Sequence, residues 1–96
     1  MEAKIEALEA KIGDADAMLD DYKKEPIYRK KIEISLEIDE ILEQISAGAG
    51  KLLVIEGKEP LSAESSKRWR HICGLQNEAA RIRRGIIEYI NKTAAA

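Results

Sequence analysis

Three stretches of this sequence place apolar side chains alternately three and four residues apart. In the first they are Ile5, Leu8, Ile12, Ala15, Leu19 and Tyr22. In the second Ile34, Ile38, Ile41 and Ile45 keep the rhythm, and Ile32, Leu36 and Leu42 widen the apolar face. In the third they are Ile72, Leu75, Ala79, Ile82, Ile86 and Tyr89, with Trp69 three residues before them. A helix turns about 100° per residue, so each set falls on one stripe of a helix that must be buried against another. The broad second face predicts a helix in contact with two neighbours. Aromatic residues are only 4% of the chain and Phe is absent, so Ile and Leu must build the core.

Local signals set the boundaries. Gly13 costs about 1 kcal/mol against Ala but leaves the first pattern intact. Lys24-Glu25-Pro26 ends that helix, because the residue before proline is pushed out of helical angles. Pro26 then suits the first position of the second helix, where its missing N–H is harmless. Ser46-Ala47-Gly48-Ala49-Gly50 predicts its end, since glycine permits left-handed closure. Ser62 is a good N-cap for the third helix. The expected layout is one domain over residues 1–96, with helices at about 2–24, 26–47 and 62–92 and an insert at 48–61.

The fold class expected is all-α, an antiparallel three-helix bundle. Within the insert, Lys51-Leu52-Leu53-Val54-Ile55 is apolar and partly β-branched, and Glu56-Gly57-Lys58 is a turn candidate. It reads as a strand, with Glu59-Pro60-Leu61 as a possible return of a small hairpin. A hairpin is marginal unless it packs on something. Two placements remain open: an apolar loop covering the end of the bundle, or a prop that displaces the third helix into an intermolecular bundle, making a homo-oligomer through that helix.

The residues needed for catalysis are missing. His71 is the only histidine and Cys73 the only cysteine. Two residues apart on a helix, they point about 160° apart and cannot form a dyad. No second Cys or His completes a zinc site, and Gly48-Ala49-Gly50-Lys51 lacks the spacing of a phosphate loop. The chain is expected not to be an enzyme and to need no metal or cofactor. A single cysteine fits a reducing compartment, and Met1-Glu2-Ala3-Lys4 does not open a secretory signal. A cytoplasmic protein is therefore expected, without a membrane partner, since there is no run of about 18 apolar residues.

The net charge of −2 hides an asymmetry. Residues 1–45 carry 13 acidic and 7 basic groups, whereas residues 67–96 carry 7 basic and 2 acidic ones. The two signs can attract within one bundle or meet a complementary partner. Lys67, Arg68, Arg70, Arg81, Arg83 and Arg84 supply the basic end. A pI near 5.5 and the lack of any nucleic-acid motif argue against a nucleic-acid partner.

In order, Arg68-Trp69-Arg70-His71-Ile72-Cys73-Gly74-Leu75-Gln76 has an Arg followed eight residues later by a Gln, with Ile72 and Leu75 between them. This stretch resembles the last helix of the BAG domain, a family of three-helix co-chaperones. The order of an acidic, a second acidic and a long basic helix is similar too. The resemblance implies a partner, the ATPase domain of the seventy-kilodalton heat-shock chaperone, gripped by Arg68 and Gln76. It also implies nucleotide exchange without chemistry. On the second helix it implies acidic contacts ten residues apart, a spacing met by Glu33 and Glu43. A rival register puts Leu36 and Ser46 at those positions, with Glu37 or Glu40 taking over. Two departures from the family stand out. Trp69 replaces the usual Lys after the Arg, and the Lys51–Leu61 connection is longer. If the chain is not a chaperone partner, a helical oligomerisation module is the alternative.

Overall fold

The computed structural model describes residues 2–58 and 62–94. Three helices follow one another, α1 (Glu2–Lys24), α2 (Tyr28–Glu56) and α3 (Ala63–Ala94), as the all-α reading expects. They run up, down and up: Glu9 of α1 meets His71 of α3 and Asp16 meets Arg81, while Glu56 at the end of α2 meets Arg68 near the start of α3. The bundle is elongated, 52 × 23 × 15 Å between Cα atoms.

The first and third stripes enter the core nearly as spaced. Ile5, Leu8, Ile12, Ala15, Leu19 and Tyr22 are buried, as are Ile72, Leu75, Ala79, Ile82 and Ile86. Tyr89 stays half-buried and packs on the same cluster. Thus α3 folds back onto α1 and α2 of its own chain.

The second helix departs from expectation. It does not stop near residue 47. Residues 48–56 continue it, so Lys51–Ile55 is helical, and there is no strand among the described residues. The return segment Glu59-Pro60-Leu61 lies outside them. The buried stripe of α2 is Ile38, Leu42, Ile45, Ala49, Leu52 and Glu56, spaced 4, 3, 4, 3, 4 straight through the glycines. Burying Leu52 contributes roughly 1.5–3 kcal/mol. That competes well with about 1 kcal/mol lost at each glycine. Gly48 has a further role, because a Cβ there would lie 2.9 Å from Leu8 Cδ2. Its absence lets α1 approach α2. No glycine has a positive φ. The helix ends at Gly57 in right-handed geometry (φ −66°, ψ −16°), with its N–H donating to the Leu53 carbonyl at 2.9 Å.

At its other end α2 begins at Tyr28, two residues later than Pro26. Ile27 is the cap residue and is extended (φ −92°, ψ 116°). Its N–H donates to Glu25 Oε1 at 3.2 Å, so the acidic side chain closes the turn. The third helix starts as anticipated. Ser65 N–H donates to Ser62 Oγ at 3.0 Å, and Ser62 N–H donates to Ser65 Oγ at 3.2 Å. This is a capping box with Ser in the usual Glu position. Ile32 and Leu36, expected to widen the buried face, stay exposed, whereas Leu42 is buried.

Candidate protein-binding site

Arg68 stands on the first turns of α3, where α2 ends. Its Nε donates to Glu56 Oε1 at 2.5 Å. The Arg68 side chain is 37% exposed and the Glu56 side chain only 1%. Glu56 therefore occupies the last core position of α2 as a carboxylate, and its Oε2 has no hydrogen-bond partner among the described residues. A buried carboxylate needs a paired cation. Arg68 thus holds the fold together as well as being reachable from solvent. Sequence reading placed Arg68 toward a partner and missed Glu56. The signal was present: position 56 continues the 3–4 spacing of the α2 stripe.

Gln76 lies two turns further along α3, about 12 Å from Arg68 along the axis and about 80° around it. It is half-buried. Glu33 and Glu43 are both exposed on α2. Ten residues separate them, so they stand about 15 Å apart along the helix and about 80° apart around it. Glu43 lies with Ser35 and Asp39 on one wall of an open cleft, and Arg83, Ile87 and Ile90 of α3 form the other. Glu33 is not part of that lining. Since Glu56 marks the level of Arg68 on α2, Glu33 lies about 35 Å from that level. The four expected contact residues are spread along the bundle and do not form a single cluster.

No family model, curated protein or solved structure matches this chain.

Two other polar arrangements act within the bundle. Arg81 donates through one terminal nitrogen to both Asp16 oxygens, at 3.0 and 3.1 Å, and through Nε to Glu78 at 3.0 Å. Hydrogen bonding to Glu78, and then to Asp16, raises the Arg81 pKa above its ordinary value. At the opposite end from Glu56, Lys31 Nζ lies 4.4 Å from the Tyr89 ring centroid and 5.2 Å from that of Tyr22. The two rings meet edge to face at 5.3 Å. One side chain from each helix thus closes this end. His71 Nε2 lies 2.7 Å from Glu9 Oε1, an ion pair when the imidazole is protonated.

Among the described residues no three His, Cys, Asp or Glu side chains gather to hold a metal ion. Nor, among those residues, is any helix long and apolar enough to cross a membrane. What the surface offers is charge of both signs beside apolar side chains. Residues 33–43 of α2 carry five carboxylates and no basic group, and residues 81–84 of α3 carry three arginines. Asp39, Glu43 and Arg83 bring the two sets to one cleft.

Proposed function

We propose that this chain is a non-catalytic protein-binding module that works through α2 and α3. We propose as its partner the ATPase domain of the seventy-kilodalton heat-shock chaperone, whose ADP exchange it promotes. The observation that carries the binding reading is the α2/α3 cleft, where Asp39 and Glu43 face Arg83 on a rigid helical frame. Two signs of charge held at fixed separation favour a partner with the complementary pattern. The choice of partner rests on the resemblance of Arg68–Gln76 to the BAG family.

The mechanism needs no covalent chemistry. The chaperone's ATPase domain is a two-lobed clamp closed around nucleotide. A rigid module that fits the open clamp better opposes nucleotide binding, and linkage makes the opposition mutual. Arg68 would keep its Nε on Glu56 and turn the solvent-exposed side of its guanidinium to a chaperone carboxylate, a planar geometry that Lys reproduces poorly. Gln76 would hydrogen-bond beside it, and Glu43 would meet a basic group. Glu33 would make a separate contact further along α2.

Calorimetric titration of the purified ATPase domain with this chain tests the reading. The expected result is a one-to-one complex that ADP weakens, and that Gln76→Ala weakens without unfolding the bundle. Binding indifferent to ADP would leave a protein-binding module but remove the exchange mechanism.

A further inference from the structure

Among the described residues, six of the nine exposed large apolar side chains gather at one end of the molecule, where α2 begins and α3 ends. They are Ile27, Tyr28, Ile32, Leu36, Ile87 and Ile90. Tyr28, Ile32 and Leu36 recur every four residues along α2, and Ile87 and Ile90 are three apart on α3, the spacings that put side chains on one face. Leu36 is 62% and Ile87 50% exposed. Contiguous apolar surface of this kind marks an interaction site.

Charge decides what covers it. Next to the apolar patch stand Asp39 and Glu43 on α2 and Arg83 and Arg84 on α3, and none of the four has an ion pair among the described residues. Further along both helices come Ala47 and Gly50 of α2 and Asn77 and Ala80 of α3, small or neutral residues, and then Val54 and Trp69, both exposed. Along the α2/α3 face an apolar end is thus followed by a charged band, with acid on one helix and base on the other at the same level.

We propose that this face binds a second copy of the chain, about a two-fold axis parallel to the bundle. Such an axis lays α3 of one copy antiparallel along α2 of the other without changing level. Asp39 and Glu43 then meet Arg83 and Arg84 of the second copy, and Ile32 and Leu36 meet its Ile87 and Ile90. The other face-to-face two-fold, across the bundle, stacks acidic α2 on α2 and basic α3 on α3, which like-charge repulsion opposes. Two helices side by side, about 10 Å apart and some 40 Å long, offer roughly 800 Å² per copy, a standard interface. The pairing does not rest on the chaperone reading. It uses the same α2/α3 surface, so a second copy and a chaperone would compete for it.

Sedimentation equilibrium of the whole chain across the micromolar range tests the proposal with two charge-reversal variants. The expected wild type is a monomer–dimer equilibrium. Asp39→Arg with Glu43→Arg puts base against base, and Arg83→Glu with Arg84→Glu puts acid against acid. Each should weaken self-association by on the order of tenfold or more. All four residues are exposed, so each variant keeps its helical circular dichroism. Mixed, the two variants should restore a dimer, because both sets of contacts are then of opposite sign. A strictly monomeric wild type overturns the proposal and leaves the face to another protein. Equally fatal are variants that associate like wild type, or a mixture that stays monomeric.

Discussion

Replacing Gly50 by alanine should stabilise this protein. Gly50 is well inside α2 and an added Cβ would meet nothing within 4 Å. The expected gain is the full difference in helix propensity, about 1 kcal/mol, or some 4–8 °C in Tm for a domain of this size. Gly48, two residues earlier, is the matched control. Alanine there gains the same propensity, but its Cβ would come within 2.9 Å of Leu8 Cδ2. Relieving that overlap moves a flexible side chain in a packed seam, at a cost of roughly 1–3 kcal/mol. Gly48→Ala should therefore be neutral or destabilising, and the two alanines should differ by about 1–3 kcal/mol. Urea unfolding followed by circular dichroism at 222 nm gives both values. A loop at residues 46–50 with a left-handed glycine reverses the sign at Gly50, since alanine is strained there. A lower stability for Gly50→Ala would falsify the continuous α2.

Further outcomes follow from other contacts. Arg68→Ala removes the cation beside a buried carboxylate and should cost about 2–3 kcal/mol, less than for a fully enclosed pair because Arg68 is partly exposed. Pairing Arg68→Met with Glu56→Gln should recover most of that loss in a double-mutant cycle; additive effects would mean that the two side chains are not coupled. Ser62→Ala should cost about 1 kcal/mol by opening the capping box, with the start of α3 fraying first in amide exchange. Ile82→Ala should be the harshest of these changes, about 2–5 kcal/mol in denaturant unfolding, because its side chain is fully buried. Arg81→Ala should cost no more than about 1 kcal/mol despite its three carboxylate contacts, because they are exposed and screened by salt.

The first and third helices were legible because their spacing and their boundary residues agree. Ser62 shows both, beginning a helix by propensity and capping it by geometry. The second helix misled because two local signals pointed the wrong way. Gly48 and Gly50 read as a stop, and Val54-Ile55 read as strand, yet Ala49, Leu52 and position 56 kept the helical period. Tertiary burial outweighed local propensity there. The decisive fact, that Leu8 needs the space a side chain would fill at position 48, is not local to α2.

The candidate site was legible only in part. Residue type and spacing drew attention to Arg68 and Gln76, but not to the carboxylate that Arg68 holds, because a Glu in a core position looks like surface charge. Ile32 and Leu36 were assigned to the core for their apolar character, and they stand outside it. Which of several apolar stripes on one helix is buried depends on where its neighbours lie. The α2/α3 cleft of Asp39, Glu43 and Arg83 joins residues some 40 positions apart, and only the fold brings them together.

The release of a fluorescent ADP analogue from the chaperone's ATPase domain, timed with and without this chain, tests the functional account most directly. The account predicts faster release that grows with the amount of chain and is lost in Gln76→Ala, whose bundle remains folded. Unchanged release, with no complex formed by the folded chain, would contradict it.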